Sequence, residues 1–256
     1  MNSLTFGLIS LGSIFTGTLV GLYLRRILPE SHLCQESRDS MKMAWGIVAT
    51  MSALVLGLLL STAKSSFDTI SNEITQAGAK IIVLDQVFER YGPETKAART
   101  ELRLAVNVRV QKIWSKSHDE SSGSASLAVG RGLNGVFDEM DKLTPETDSK
   151  KALLSQAEGL TNELIMARWL ALEQSRTVLP NIFFIVLVLW LTLLFIGIGL
   201  LAPAHKTMLI TLLLCNLCLS AAIFLIEEMN HPLDGMVQVS SAPMVEALDY
   251  LNTHKP

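Results

Sequence analysis

Four stretches of the chain are free of charge and long enough to cross a lipid bilayer: 4–24, 43–63, 182–202 and 208–226. A helix rising about 1.5 Å per residue needs roughly 20 residues to cross a hydrocarbon core, so each stretch is read as a transmembrane helix. Arg25 and Arg26 follow the first run and no basic side chain precedes it, the pattern of a retained span and not of a cleaved signal peptide. Only Pro203 to Thr207 join the third and fourth spans, which therefore form an antiparallel hairpin. The first pair, connected through Arg25 to Lys42, is expected to do the same.

Charge gathers between the pairs. Of the 21 basic and 24 acidic residues, 15 and 16 lie within 64–180, a stretch that belongs in water. Its beginning places Phe67, Ile70, Ile74, Ala77, Ile81, Leu84, Phe88 and Tyr91 at alternating steps of three and four, a single apolar seam on a helix that Gly92 and Pro93 stop. Its end repeats the pattern with Leu153, Ala157, Leu160, Leu164, Ala167, Ala171 and Val178, behind a start signal at Thr144, Pro145 and Glu146. No turn signal separates either seam from the adjacent span, so the second and third spans are expected to continue out of the lipid as a helical stalk. Leu102, Ala105, Val106, Val110 and Ile113 predict a further helix, and Leu133, Val136, Phe137 and Met140 a shorter one; Ser115 to Ser126 read as a loop.

The expected fold is therefore all-α and integral to a membrane. One hairpin covers 1–63, a soluble helical insert 64–180, a second hairpin 181–228, and a tail with a short amphipathic helix 229–256. In the tail, Pro243 starts a helix whose Met244, Ala247, Leu248 and Leu251 share one side, a face expected to dock on the insert or on a neighbouring subunit.

Composition narrows the function. A hydrophobic share of 49% and a net charge of −3 leave no basic surface for nucleic acid. The glycines at 130, 132 and 135 spell GxGxxG in an all-helical setting, where the dinucleotide motif has no strand to follow. Cys215 and Cys218 form CxxC inside an apolar run and are read as small core residues. The five histidines are dispersed, and no nucleophile, base and orienting group occur in a recognisable pattern. No catalytic residue, cofactor or metal is therefore assigned, and the chain is not expected to be an enzyme.

Two features invite a functional reading. Gly46, Thr50, Ala53, Gly57, Ser61 and Lys64, followed by Asp68, line one stripe of the second span. Small residues in this array let helices approach closely in lipid; alternatively the stripe walls a pore, with Lys64 and Asp68 at its mouth. At the end of the fourth span, Glu227, Glu228 and His231 fall within five residues. Metal binding would lack a fourth ligand, so they are read as interfacial carboxylates ending the helix beside a basic partner such as Lys64 or Arg176.

The stretches LVLGLLLSTAKSSFD (Leu54 to Asp68), LDQVFERYGPETKAAR (Leu84 to Arg99) and Leu194 to Leu251, with a late Arg168 in the insert, resemble the bacterial bestrophin-like family. In the turn after the last span, Glu228, Pro232 and Gly235 match that family's motif, with Glu227 beside them and Leu233 where an aromatic is usual; in the short turn between the third and fourth spans, His205 stands where Asn is typical. The resemblance implies a homo-oligomer in a bacterial inner membrane, in contact with lipid, and more distantly an anion channel. Bestrophin channels keep their soluble parts in the cytoplasm and carry a dense acidic calcium clasp after this turn; this chain has no such acidic run after Gly235. Basic residues Arg25, Arg26, Arg38 and Lys42 in the first short connection favour instead a non-cytoplasmic insert. Two functions follow: a channel lined by the second span, or a non-conducting scaffold or envelope sensor that binds a protein through 64–180.

Overall fold

The computed structural model describes residues 3–29, 35–114, 132–176, 181–203, 205–233 and 235–254. They form eight α-helices: α1 (Ser3–Ile27), α2 (Gln35–Tyr91), α3 (Lys96–Trp114), α4 (132–140), α5 (Asp148–Arg176), α6 (Asn181–Leu201), α7 (Lys206–Met229) and α8 (Ala242–Thr253). No strand occurs among the described residues. Four helices, α1, α2, α6 and α7, are long and apolar enough to cross a membrane, as the charge-free stretches require. Of the two expected stalk helices, α2 is continuous over 57 residues. The other would run through 177–180, together with Val178, and these lie outside the described residues, as do the loop 115–126 and Gly130.

The chain divides into two compact units, 1–67 with 178–237 and 68–177 with 238–256. In the first, α1 packs against both α6 and α7. Lipid gives apolar side chains little reason to prefer each other, so helices there are held by close contact and by hydrogen bonds between them. Both are present. Gly21 lies so near the Ile196 carbonyl that a Cβ would collide with it, and a Cβ on Gly199 would sit 2.6 Å from the Thr18 carbonyl oxygen. Ser220 donates to the Gly7 carbonyl at 2.7 Å, and the Asn216 amide donates to Thr18 Oγ1 at 3.1 Å. Ser13 and Thr192 pair at 3.1 Å between α1 and α6. The stripe Gly7, Ser10, Ile14, Gly17, Thr18 and Gly21 on α1 is thus the buried one. Cys215 and Cys218, expected in a core, lie exposed on the outer side of α7 because Leu212, Asn216 and Ser220 occupy its inner face.

The second unit is held as a water-soluble protein is, by burial of apolar side chains worth roughly 1.5–3 kcal/mol for each large one. Ile70, Ile74, Ile81, Leu84, Phe88 and Tyr91 of α2 are buried, with Leu102 and Val106 of α3, Leu133, Val136 and Met140 of α4, and Ala157 and Leu164 of α5. The α2 seam is thus largely covered within one chain. Gly92, at φ 129°, ends α2 in a conformation other residues avoid, and Thr95 Oγ1 donates to the Phe88 carbonyl at 2.7 Å to close the turn. Helix α5 starts three residues later than expected: its cap is Thr147, whose hydroxyl accepts the Lys150 N–H at 3.2 Å. Gly132 belongs to α4, where a Cβ would meet that of Ala105 at 2.6 Å, so its role is helix packing.

The amphipathic tail helix docks within this unit. Met244, Ala247 and Leu251 of α8 are buried, α8 lies against α3, and a Cβ on Gly78 would come within 2.6 Å of the Pro243 carbonyl. Trp114 Nε1 donates to the Val239 carbonyl at 3.0 Å, and Arg99 donates to the His254 carbonyl at 2.8 Å, fastening the segment near each end.

Candidate functional site: the α2 face and the turn closing α7

The stripe on α2 is open to the outside of the chain. Gly46, Thr50, Ala53, Gly57, Ser61 and Lys64 are all exposed, and Asp68 is half-buried. A Cβ added to Gly46 or Gly57 would meet nothing within 4 Å. Close packing inside the chain is therefore not what these residues do; that task falls to α1. Only 11% of the most apolar part of α2 is buried, against 33% for α1 and 39% for α6, which marks α2 as the span with most of its surface left over. What contact α2 makes in the first unit runs through its other side, where Leu59 and Ala63 are buried and Trp45 lies across Gly197 of α6. Along the stripe, Thr50 returns its hydroxyl to the Ile47 carbonyl at 2.8 Å, and the Lys64 ammonium lies 6.0 Å from the Phe67 ring centroid.

The turn after α7 gathers the motif residues. Glu228 is 2% exposed, and its carboxylate accepts the backbone N–H of Met236 and, at 3.2 Å, that of Val237. Pro232 is buried, and the Gly235 N–H donates to the His231 carbonyl at 3.2 Å. A side chain on Gly235 would run into the Glu228 carboxylate, so the glycine is what lets the turn fold onto that oxygen. Glu227 lies 3.6 Å from His231 Nε2. Glu228 serves as the knot of a backbone turn and Glu227 is buried beside it. Arg176, one expected partner, has its side chain outside the described part of the structure. Among the described residues no three metal-ligating side chains converge.

Two groups were not singled out from the sequence. One is the hydroxyl and amide ladder joining α1 to α6 and α7, whose signal, small residues at steps of three and four, is the same one that drew attention to α2. The other lies in the second unit, where α2, α3, α4, α5 and α8 line a half-open cavity bordered by Arg109 and Arg168. Nothing in the local sequence around either arginine announces that both line one cavity.

Four apolar helices and a buried turn of this form make the chain a multi-pass membrane protein. Residues 12–244 match the family model described as the Bestrophin-like domain, and the chain belongs to the bestrophin-like family. No curated protein and no solved structure matches it.

Proposed function

We propose that this protein works without enzymatic chemistry, as a homo-oligomeric channel for ions or small solutes, with α2 of each copy lining a shared axis. The observation that carries this reading is the open α2 face, where small and hydroxylated residues continue over Gly46, Thr50, Ala53, Gly57 and Ser61, all of them exposed among the described residues. Glycine and alanine there leave room along an axis, and hydroxyls offer exchangeable ligands to a passing ion. The exposed Lys64 supplies positive charge where the stripe leaves the lipid. We place the protein in a bacterial inner membrane with the insert on the non-cytoplasmic side, from the basic residues of the first connection.

Flux through liposomes carrying the purified oligomer tests the reading. The parent protein should conduct, and Gly57→Leu and Thr50→Leu should each reduce flux at least severalfold while the oligomer remains intact. A tight bilayer with folded oligomer present would reject the channel in favour of the scaffold that binds through 64–180. Reactivity of a cysteine placed at Lys151, exposed near the start of α5, towards an impermeant thiol reagent reads the orientation.

A further inference from the structure

An open-sided groove of about 350 Å³ lies in the first unit, between the last turns of α1 and the first turns of α7. Its apolar part is made by Leu19 and Leu22 of α1 and by Leu209 and Leu212 of α7. Its other end is cationic: Arg26 and Lys206 border it, and among the described residues no carboxylate does. Tyr23 and His205 stand at the same end, adding a phenol hydroxyl and an imidazole. Arg26 and Lys206 are both exposed and so within reach of a ligand.

Arg25 and Arg26 are the first charges after the uncharged run of α1, and Lys206 is the last before that of α7. The cations therefore mark where both helices leave the hydrocarbon, with Tyr23 at the depth that amphipathic rings favour. From Leu19 to Arg26 on α1, and from Leu212 to Lys206 on α7, the lining turns from apolar to cationic over about 10 Å. A phospholipid presents the same order, from acyl chain through glycerol to phosphate. One water needs roughly 10–15 Å³ of such space, so the groove has room for a phosphate, its glycerol and the first part of a chain. Lys206 opens α7 and no side chain caps that helix, so its first backbone N–H groups add positive potential at the cationic end. Basic pockets between spans suit anionic headgroups. We propose that this groove binds an anionic phospholipid, its phosphate held by Arg26 and Lys206 and one acyl chain lying on Leu19, Leu22 and Leu209. A zwitterionic lipid brings an ammonium that finds no carboxylate among the described lining residues, so the site selects phosphatidylglycerol over phosphatidylcholine. The site is separate from the α2 face and stands whether or not the protein conducts.

The test uses the full chain in neutral detergent micelles, titrated at constant ionic strength with dioleoyl phosphatidylglycerol, dioleoyl phosphatidylcholine and glycerol phosphate. Readouts are lipid retained per chain by native mass spectrometry and the thermal midpoint. Phosphatidylglycerol should be retained saturably and raise the midpoint, and phosphatidylcholine should bind about fivefold more weakly or less. Glycerol phosphate, which lacks the chain, should not displace the lipid. Arg26→Gln and Lys206→Gln should each weaken retention about fivefold, and the double variant more than either. Both side chains are exposed, so the lipid-free variants should melt with the parent. Lys42→Gln removes an equal charge from the same connection but outside the groove, and should leave retention unchanged. Equal retention of the two lipids, or an equal loss in Lys42→Gln, would reduce the effect to general surface charge and overturn the site. So would full retention in the double variant. Displacement by glycerol phosphate at the lipid's own concentration would overturn the lipid in favour of a soluble phosphate.

Discussion

Asp85 keeps a side chain only 2% exposed because Arg99 meets both of its oxygens, at 2.7 and 2.8 Å. That hydrogen bond, more than any other influence, raises the Arg99 pKa. Arg99→Met would strand a buried carboxylate and should cost about 3–5 kcal/mol in thermal or denaturant unfolding; adding Asp85→Leu should recover much of the loss. Glu94 and Lys150 form the exposed counterpart at 2.6 Å. Their mutual hydrogen bond lowers the pKa of Glu94 and raises that of Lys150. The stabilisation is therefore complete above the ordinary Glu value of 4.5 and below the ordinary Lys value of 10.5, fading beyond each end. Unfolding of Glu94→Gln against pH should show a small constant offset from the parent inside that window, vanishing as acid protonates Glu94. The break at Gly92 and Pro93 was readable because it needs one residue with positive φ and one without an N–H. The pairing of Asp85 with Arg99 across it was not, since nothing local distinguishes this carboxylate from Glu89 or Glu94.

At the level of helices, spans and seams were legible because lipid and water each impose a composition over many residues. The first turn of α5 was misplaced because Thr144 and Thr147 both qualify as caps, and only the fold around them chooses. The small-residue stripes on α1 and α2 look alike in sequence; whether a partner helix arrives is decided by tertiary packing. Substitutions separate the covered and open sides of α1. Gly21→Ala would drive a methyl into the Ile196 backbone and should lower the melting temperature in detergent. Gly12→Ala, which meets nothing within 4 Å, should be neutral or gain up to about 1 kcal/mol from helix propensity.

For the whole molecule, the open α2 face predicts self-association. A cysteine at Gly57 should form oxidised links between copies in membranes, and the solubilised particle should be a multiple of the 28.0 kDa chain. A particle of one chain mass, with no links at Gly57, would remove the basis for a shared axis. The charge-free stretches announced the four long apolar helices, but the sequence could not show that the tail completes the insert, because α8 is apolar on one side and that alone names no partner.

The joining of 238–256 to 68–177 has a consequence for biosynthesis. The ribosome delivers α8 only after α6 and α7 have been made, so the unit that α8 completes cannot finish folding before both of those spans have been synthesised. A premature stop after Val237 would spare all four apolar helices yet take from α3 its α8 neighbour and from Trp114 and Arg99 their carbonyl acceptors, leaving an inserted protein for quality-control proteases to recognise.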